Sequence, residues 1–163
     1  MFSTHCLDLP ETLLCVASYL PRRSLPVCAL VSKAWYRVFH PLAWKEVEFN
    51  KLTPNQRGAI QLNGHFVRTF EIGFHSSMQG HIALRLPTLD SLVVNRPHPN
   101  ILHWVTELPS LSRLDIKNIK LDPQSGFWDK LLEFHHLRQL EIDELEIPKE
   151  DVDTFWQICT RLE

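Results

Sequence analysis

The strings LPTLDSLVV (86–94), LPSLSRLDI (108–116) and FHHLRQLEI (134–142) share one pattern: apolar, two residues, apolar, two residues, apolar, one residue, apolar. The later positions recur at Val67, Phe70 and Ile72 in HFVRTFEI, and at Trp44, Val47 and Phe49 in WKEVEF. The closing residues Phe49, Ile72, Val94, Ile116 and Ile142 are spaced 23, 22, 22 and 26 apart. A unit this short cannot bury its own apolar face, so it must stack on its neighbours, and that constrains the fold more than any other feature. The last apolar pair in each unit alternates, as in a short strand with one face turned inward. Helical stretches are predicted between the strands, at 54–62 after the cap Thr53, near 81–84, and at 101–107, 127–134 and 151–161. Strand then helix, repeated, predicts an α/β solenoid with parallel strands on its concave side and helices on its convex side. Trp104, Trp128 and Trp156 fall on those helices and are expected to be core.

The period resembles that of leucine-rich repeats. LSRLDIKNIKL (111–121) and LRQLEIDELEI (137–147) both read LxxLxLxx[IL]x[IL] without a gap. Ile119 and Leu145 stand where that family often places asparagine or cysteine, so the layers are expected to be held by packing and not by an asparagine ladder. Alternation turns Thr69, Glu71, Gly73, Ser91, Val93, Asn95, Arg113, Asp115, Lys117, Gln139, Glu141 and Asp143 toward the concave surface. The resemblance implies that this surface, or its loop edge, holds a protein. Glu71, Asn95, Arg113, Asp115, Lys117, Gln139, Glu141 and Asp143 are therefore the candidate substrate-binding residues. Acids crowd the last segment at Glu141, Asp143, Glu144, Glu146, Glu150, Asp151 and Asp153, which implies a basic ligand. The closing CTRLE reads as the start of another unit, so the repeats are expected to continue past residue 163.

The first 46 residues are organised differently. Pro10 and Glu11 suit a helix's first turn, and Leu13, Val16, Ala17 and Leu20 follow as one apolar stripe ended by Pro21. Ser24 is expected to cap a short second helix carrying Leu25, Cys28 and Ala29. Ser32 should cap a third carrying Trp35, Val38 and Phe39 before Pro41 and Trp44. Three short helices bury too little surface to stand alone, so the stripe is expected to need another protein.

The string LPETLLCVASYLPRRSLPVCALVSKAWYRVFHPLAW (9–44), within residues 7–46, resembles an F-box, the small helical motif at the front of many substrate receptors. Glu11 directly follows Pro10, whereas many members place a residue between them. The resemblance implies docking on the Skp-type adaptor of a cullin-RING ubiquitin ligase, and through it a cullin. Leu9, Pro10, Leu13, Val16, Leu20, Leu25, Val31 and Trp35 are the residues it assigns to that contact. The expected organisation is an F-box domain at 1–46 and a repeat region at 47–163, with no linker, because Trp44 both closes one pattern and opens the other.

The remaining sequence excludes more than it adds. A net charge of −2 argues against nucleic-acid binding through bulk positive charge. Residues 1–12 contain no Lys or Arg, unlike a signal peptide, and no apolar run is long enough for a membrane span. A cytoplasmic or nuclear protein is expected. Cys6, Cys15, Cys28 and Cys159 have no CxxC spacing and read as buried, reduced thiols. There is no HExxH, GxSxG, zinc spacing or glycine-rich phosphate loop, and only five glycines from which to build one. The expectation is a non-catalytic receptor without a cofactor, or an F-box scaffold that works apart from the ligase.

Overall fold

The apolar-xx-apolar start of each repeat folds as one tight turn. A backbone amide bonds back three residues in Leu89 N–H to Leu86 O (3.1 Å), Leu111 N–H to Leu108 O (3.4 Å) and Leu137 N–H to Phe134 O (3.4 Å). Both apolar residues of the turn thereby point the same way, and the strand that follows continues on that side at a period of two. A computed structural model describes residues 9–73, 85–96, 105, 107–118, 126–143, 147 and 149–162. Within these, the chain forms two compact units, Met1–Glu46 and Val47–Glu163. It is a mixed α/β protein, with N-terminal helices followed in sequence by the strands of a parallel sheet.

The first unit packs three helices, α1 (Pro10–Tyr19), α2 (Leu25–Cys28) and α3 (Lys33–Trp44). Leu13, Leu25, Ala29 and Phe39 form its buried centre, and Val16, Ala17, Leu20, Cys28, Trp35, Val38, Leu42 and Ala43 pack around them. Leu9 precedes α1, and its carbonyl accepts the first helical bond from Leu13 N–H at 3.0 Å. Ser32 caps α3, its hydroxyl oxygen accepting from Trp35 N–H at 3.2 Å. Ser24 makes no side-chain cap; it closes a 3-10 turn, Arg22–Ser24, through its amide to Pro21 O. Pro41 does not end α3 either. The helix runs through it to Trp44, because Leu42 and Ala43 still have the core to pack against.

The second unit holds β2 (Thr69–Ile72), β3 (Ser91–Asn95), β4 (Arg113–Lys117) and β5 (Gln139–Ile142), all parallel. With the short β1 (Glu46–Glu48) the sheet order is β1-β2-β3-β4-β5. Thr69, Ser91, Arg113 and Gln139 are aligned across the sheet. Strands β3, β4 and β5 are entered in the same way. The carbonyl of Arg68 accepts from the amides of Asp90 and Ser91, that of Asp90 from Ser112 and Arg113, and that of Ser112 from Arg138 and Gln139, all at 2.8–3.0 Å. One face buries Phe70, Ile72, Leu92, Val94, Leu114 and Ile116, as the alternation requires.

Helix α4 (Pro54–Asn63) begins at Thr53 with a full capping box to Gln56. Its Arg57 lies over the Phe49 ring (4.9 Å), which meets Phe70 (6.0 Å), so α4 is on the buried side of the sheet. At Gly64 a β-carbon would run into the Arg85 carbonyl, which explains a glycine where later repeats carry Leu86 and Leu108. Helices α5 (Phe127–Leu132) and α6 (Val152–Cys159) pack together, with Trp128 edge-on to Phe155 at 5.2 Å. Trp128 is core, but Trp156 is 61% exposed. The reason is angular: α6 buries Ile158 and turns Phe155 inward, which leaves the next residue about 100° round the helix. Trp104, Ile119, Leu145, Cys6 and the helix expected near 81–84 lie outside the described residues. Among the described residues, no helix is long and apolar enough to cross a membrane.

Candidate functional site

Two surfaces present the residues singled out in the sequence. On the first unit the apolar stripe of α1 is its inward face. Leu13 is completely buried and Leu25 nearly so, and both belong to the centre that the three helices pack around. Val16, Leu20 and Trp35 are half-buried against that centre, while Leu9, Pro10 and Val31 are exposed. The large apolar residues exposed on this unit, among the described residues, are Leu9 and Val31 with Leu14, Tyr19, Val27, Leu30 and Tyr36. Leu30 is 83% exposed and Tyr19 85%.

Local bonding fixes this display. Ala29 N–H to Leu25 O, Leu30 N–H to Val27 O and Val31 N–H to Cys28 O close the chain after α2 into successive tight turns. Those turns hold Leu30 and Val31 outward just before Ser32 starts α3. Tyr36 stacks on His40 (4.5 Å) on the same helix, while Trp35, one residue earlier, stacks inward on Phe39 (5.1 Å). Apolar residues off the stripe, Leu14 and Tyr19 on α1 above all, were the sequence signal for this surface. Cys15 shares that exposure, so it is not the buried thiol expected; Cys28 and Cys159 are half-buried.

The second surface is the other face of the sheet. Thr69, Ser91, Val93, Asn95 and Lys117 are half-buried there, and Glu71, Arg113, Gln139, Glu141 and Asp143 are exposed. Gly73 is buried, and a β-carbon on it would strike the Asn50 side chain. Register places Glu71, Val93, Asp115 and Glu141 in one row across four strands, with Asn95 beside Lys117 in the next. The Arg113 guanidinium reaches Glu141 at 3.4 Å, and the Lys117 ammonium reaches Asp115 Oδ2 at 3.3 Å. Asn118 Nδ2 donates to Asn95 Oδ1 at 3.0 Å. Asp115, by hydrogen bond and by charge, holds the Lys117 pKa above the usual lysine value; partial burial opposes this, and Asp143 and Glu141 add to it.

Among the described residues, no group of three or more His, Cys, Asp or Glu is placed to hold a metal ion. What both surfaces offer is contact area: apolar on the helices, polar and charged on the sheet.

Residues 7–50 match the F-box-like family, a span that contains α1, α2, α3, β1 and most of the 3-10 turn Phe49–Lys51. The chain thus carries an F-box-like domain, a module that typically serves as a non-catalytic adaptor subunit. A comparison with curated proteins found no match to the chain.

Proposed function

We propose that this protein is the substrate-receptor subunit of a cullin-RING ubiquitin ligase. Its F-box-like domain docks on a Skp-type adaptor, and its sheet presents a target protein for ubiquitination and proteasomal degradation. The observation that carries the reading is the set of exposed apolar side chains on a three-helix unit that already has its own core. Side chains such as Leu30 and Val31, held outward by tight turns, gain only when a partner covers them. Behind the F-box, the repeated turn, strand entry and register support a leucine-rich-repeat array, whose open face is the place for the target. A ligase of this kind would act in the cytoplasm or nucleus and needs no cofactor of its own.

Co-expression of the full chain with a Skp-type adaptor, followed by size-exclusion chromatography, tests the docking. A 1:1 complex is expected, and Leu30→Glu with Val31→Glu should break it while leaving the melting temperature unchanged. Failure of the unaltered chain to form a complex would overturn the assignment. A complex that never recruits a cullin would make the protein an assembly scaffold outside the ligase.

A further inference from the structure

Asp115 departs from its neighbours on the open face. It is only 5% exposed, and its Oδ1 has no hydrogen-bond partner among the described residues. Its other oxygen has one contact, to Lys117 at 3.3 Å. A buried carboxylate normally accepts several hydrogen bonds, and an oxygen left without one is costly. The surroundings deepen the deficit. Glu141 is its register partner on β5, a like charge directly opposite, and Asp143 follows one turn position beyond. Among the described residues, four carboxylates (Glu71, Asp115, Glu141 and Asp143) share this face with two cations, Arg113 and Lys117. Each of those cations is about half exposed and held by a single long contact, so either moves aside at little cost.

We propose that the β4–β5 part of this face takes a basic side chain, arginine or lysine, from the protein held there, with the Asp115 and Glu141 carboxylates as its acceptors. A metal ion fits less well, since no described group of three ligands surrounds the position. Neighbouring strands lie about 4.8 Å apart, so once Lys117 moves aside one planar guanidinium can span both carboxylates and bring the donor that Asp115 Oδ1 lacks. The proposal names the chemistry of the target and rests on the receptor function above only for where the cation comes from.

The test titrates the full chain by calorimetry with a tetra-arginine peptide, its citrulline counterpart and spermine, at physiological ionic strength. Arginine peptide should bind at least about tenfold tighter than citrulline peptide. Glu141→Gln and Asp115→Asn should each weaken it about tenfold, while Glu133→Gln, an exposed acid outside the row, should leave it unchanged. Glu141 is exposed, so its variant keeps the test valid even if the Asp115 variant does not fold. Equal binding of the citrulline peptide, an equal loss with Glu133→Gln, or no binding of tetra-arginine would overturn the site. Spermine binding as tightly as the peptide would overturn the protein origin of the cation. Adaptor binding, measured on the same samples, fails or succeeds independently of these titrations.

Discussion

Arg96 and Asn118 adopt the same left-handed backbone, with φ of 55° and 54°, one residue past the ends of β3 and β4. The repeat demands this bend at the same point in successive layers. Asparagine tolerates it; for arginine it costs roughly 1–2 kcal/mol. Glycine would remove that strain but adds freedom to the unfolded chain, so Arg96→Gly should stabilise by about 0.5–1 kcal/mol in urea titrations. Lys117 makes a second prediction. Its folded-state pKa is raised, chiefly by Asp115, so the stability it contributes is complete below the ordinary lysine value and is lost as pH climbs through the raised one. Melting temperature should therefore decline at strongly alkaline pH, and a Lys117→Met variant should start lower and show less of that decline.

At the scale of elements, capping and packing divide the work. The Thr53–Gln56 box satisfies amides at the start of α4 from both directions, so Thr53→Ala should cost about 1 kcal/mol. In the F-box-like unit, Leu13 and Leu30 separate stability from docking. Leu13→Ala opens a cavity among three helices and should cost about 2–5 kcal/mol by denaturant titration. Leu30→Ala should change stability by no more than about 0.5 kcal/mol and weaken adaptor binding instead.

For the whole sheet, stacking makes position count. Leu114 on β4 is completely buried with strands on both sides, whereas Leu140 on β5, last in the sheet order, is half-buried. The two occupy the same place in the repeat and are aligned in register. Leu114→Ala should thus cost about 3–5 kcal/mol and Leu140→Ala clearly less, by the same denaturant midpoint comparison. Equal losses would mean that β5 is covered as fully as the strands inside the array.

The sequence by itself determined the repeat, the strand positions and the inward set from Phe70 to Ile116. Those follow from local rules: a three-residue turn and a two-residue strand period put the same residues on one side wherever they occur. It also supplied the caps Thr53 and Ser32 and the F-box-like segment, whose spacing is written in consecutive residues. Tertiary structure decided what a single element cannot. Helix α1 has apolar residues on two faces, and only packing against Leu25, Ala29 and Phe39 chose Leu13 over Leu14 as core. Trp156 is out and Trp128 in because α5 meets α6 through Phe155. Alternation placed Asp115 on the open face, yet its burial comes from its surroundings in three dimensions, and these have no period in the chain.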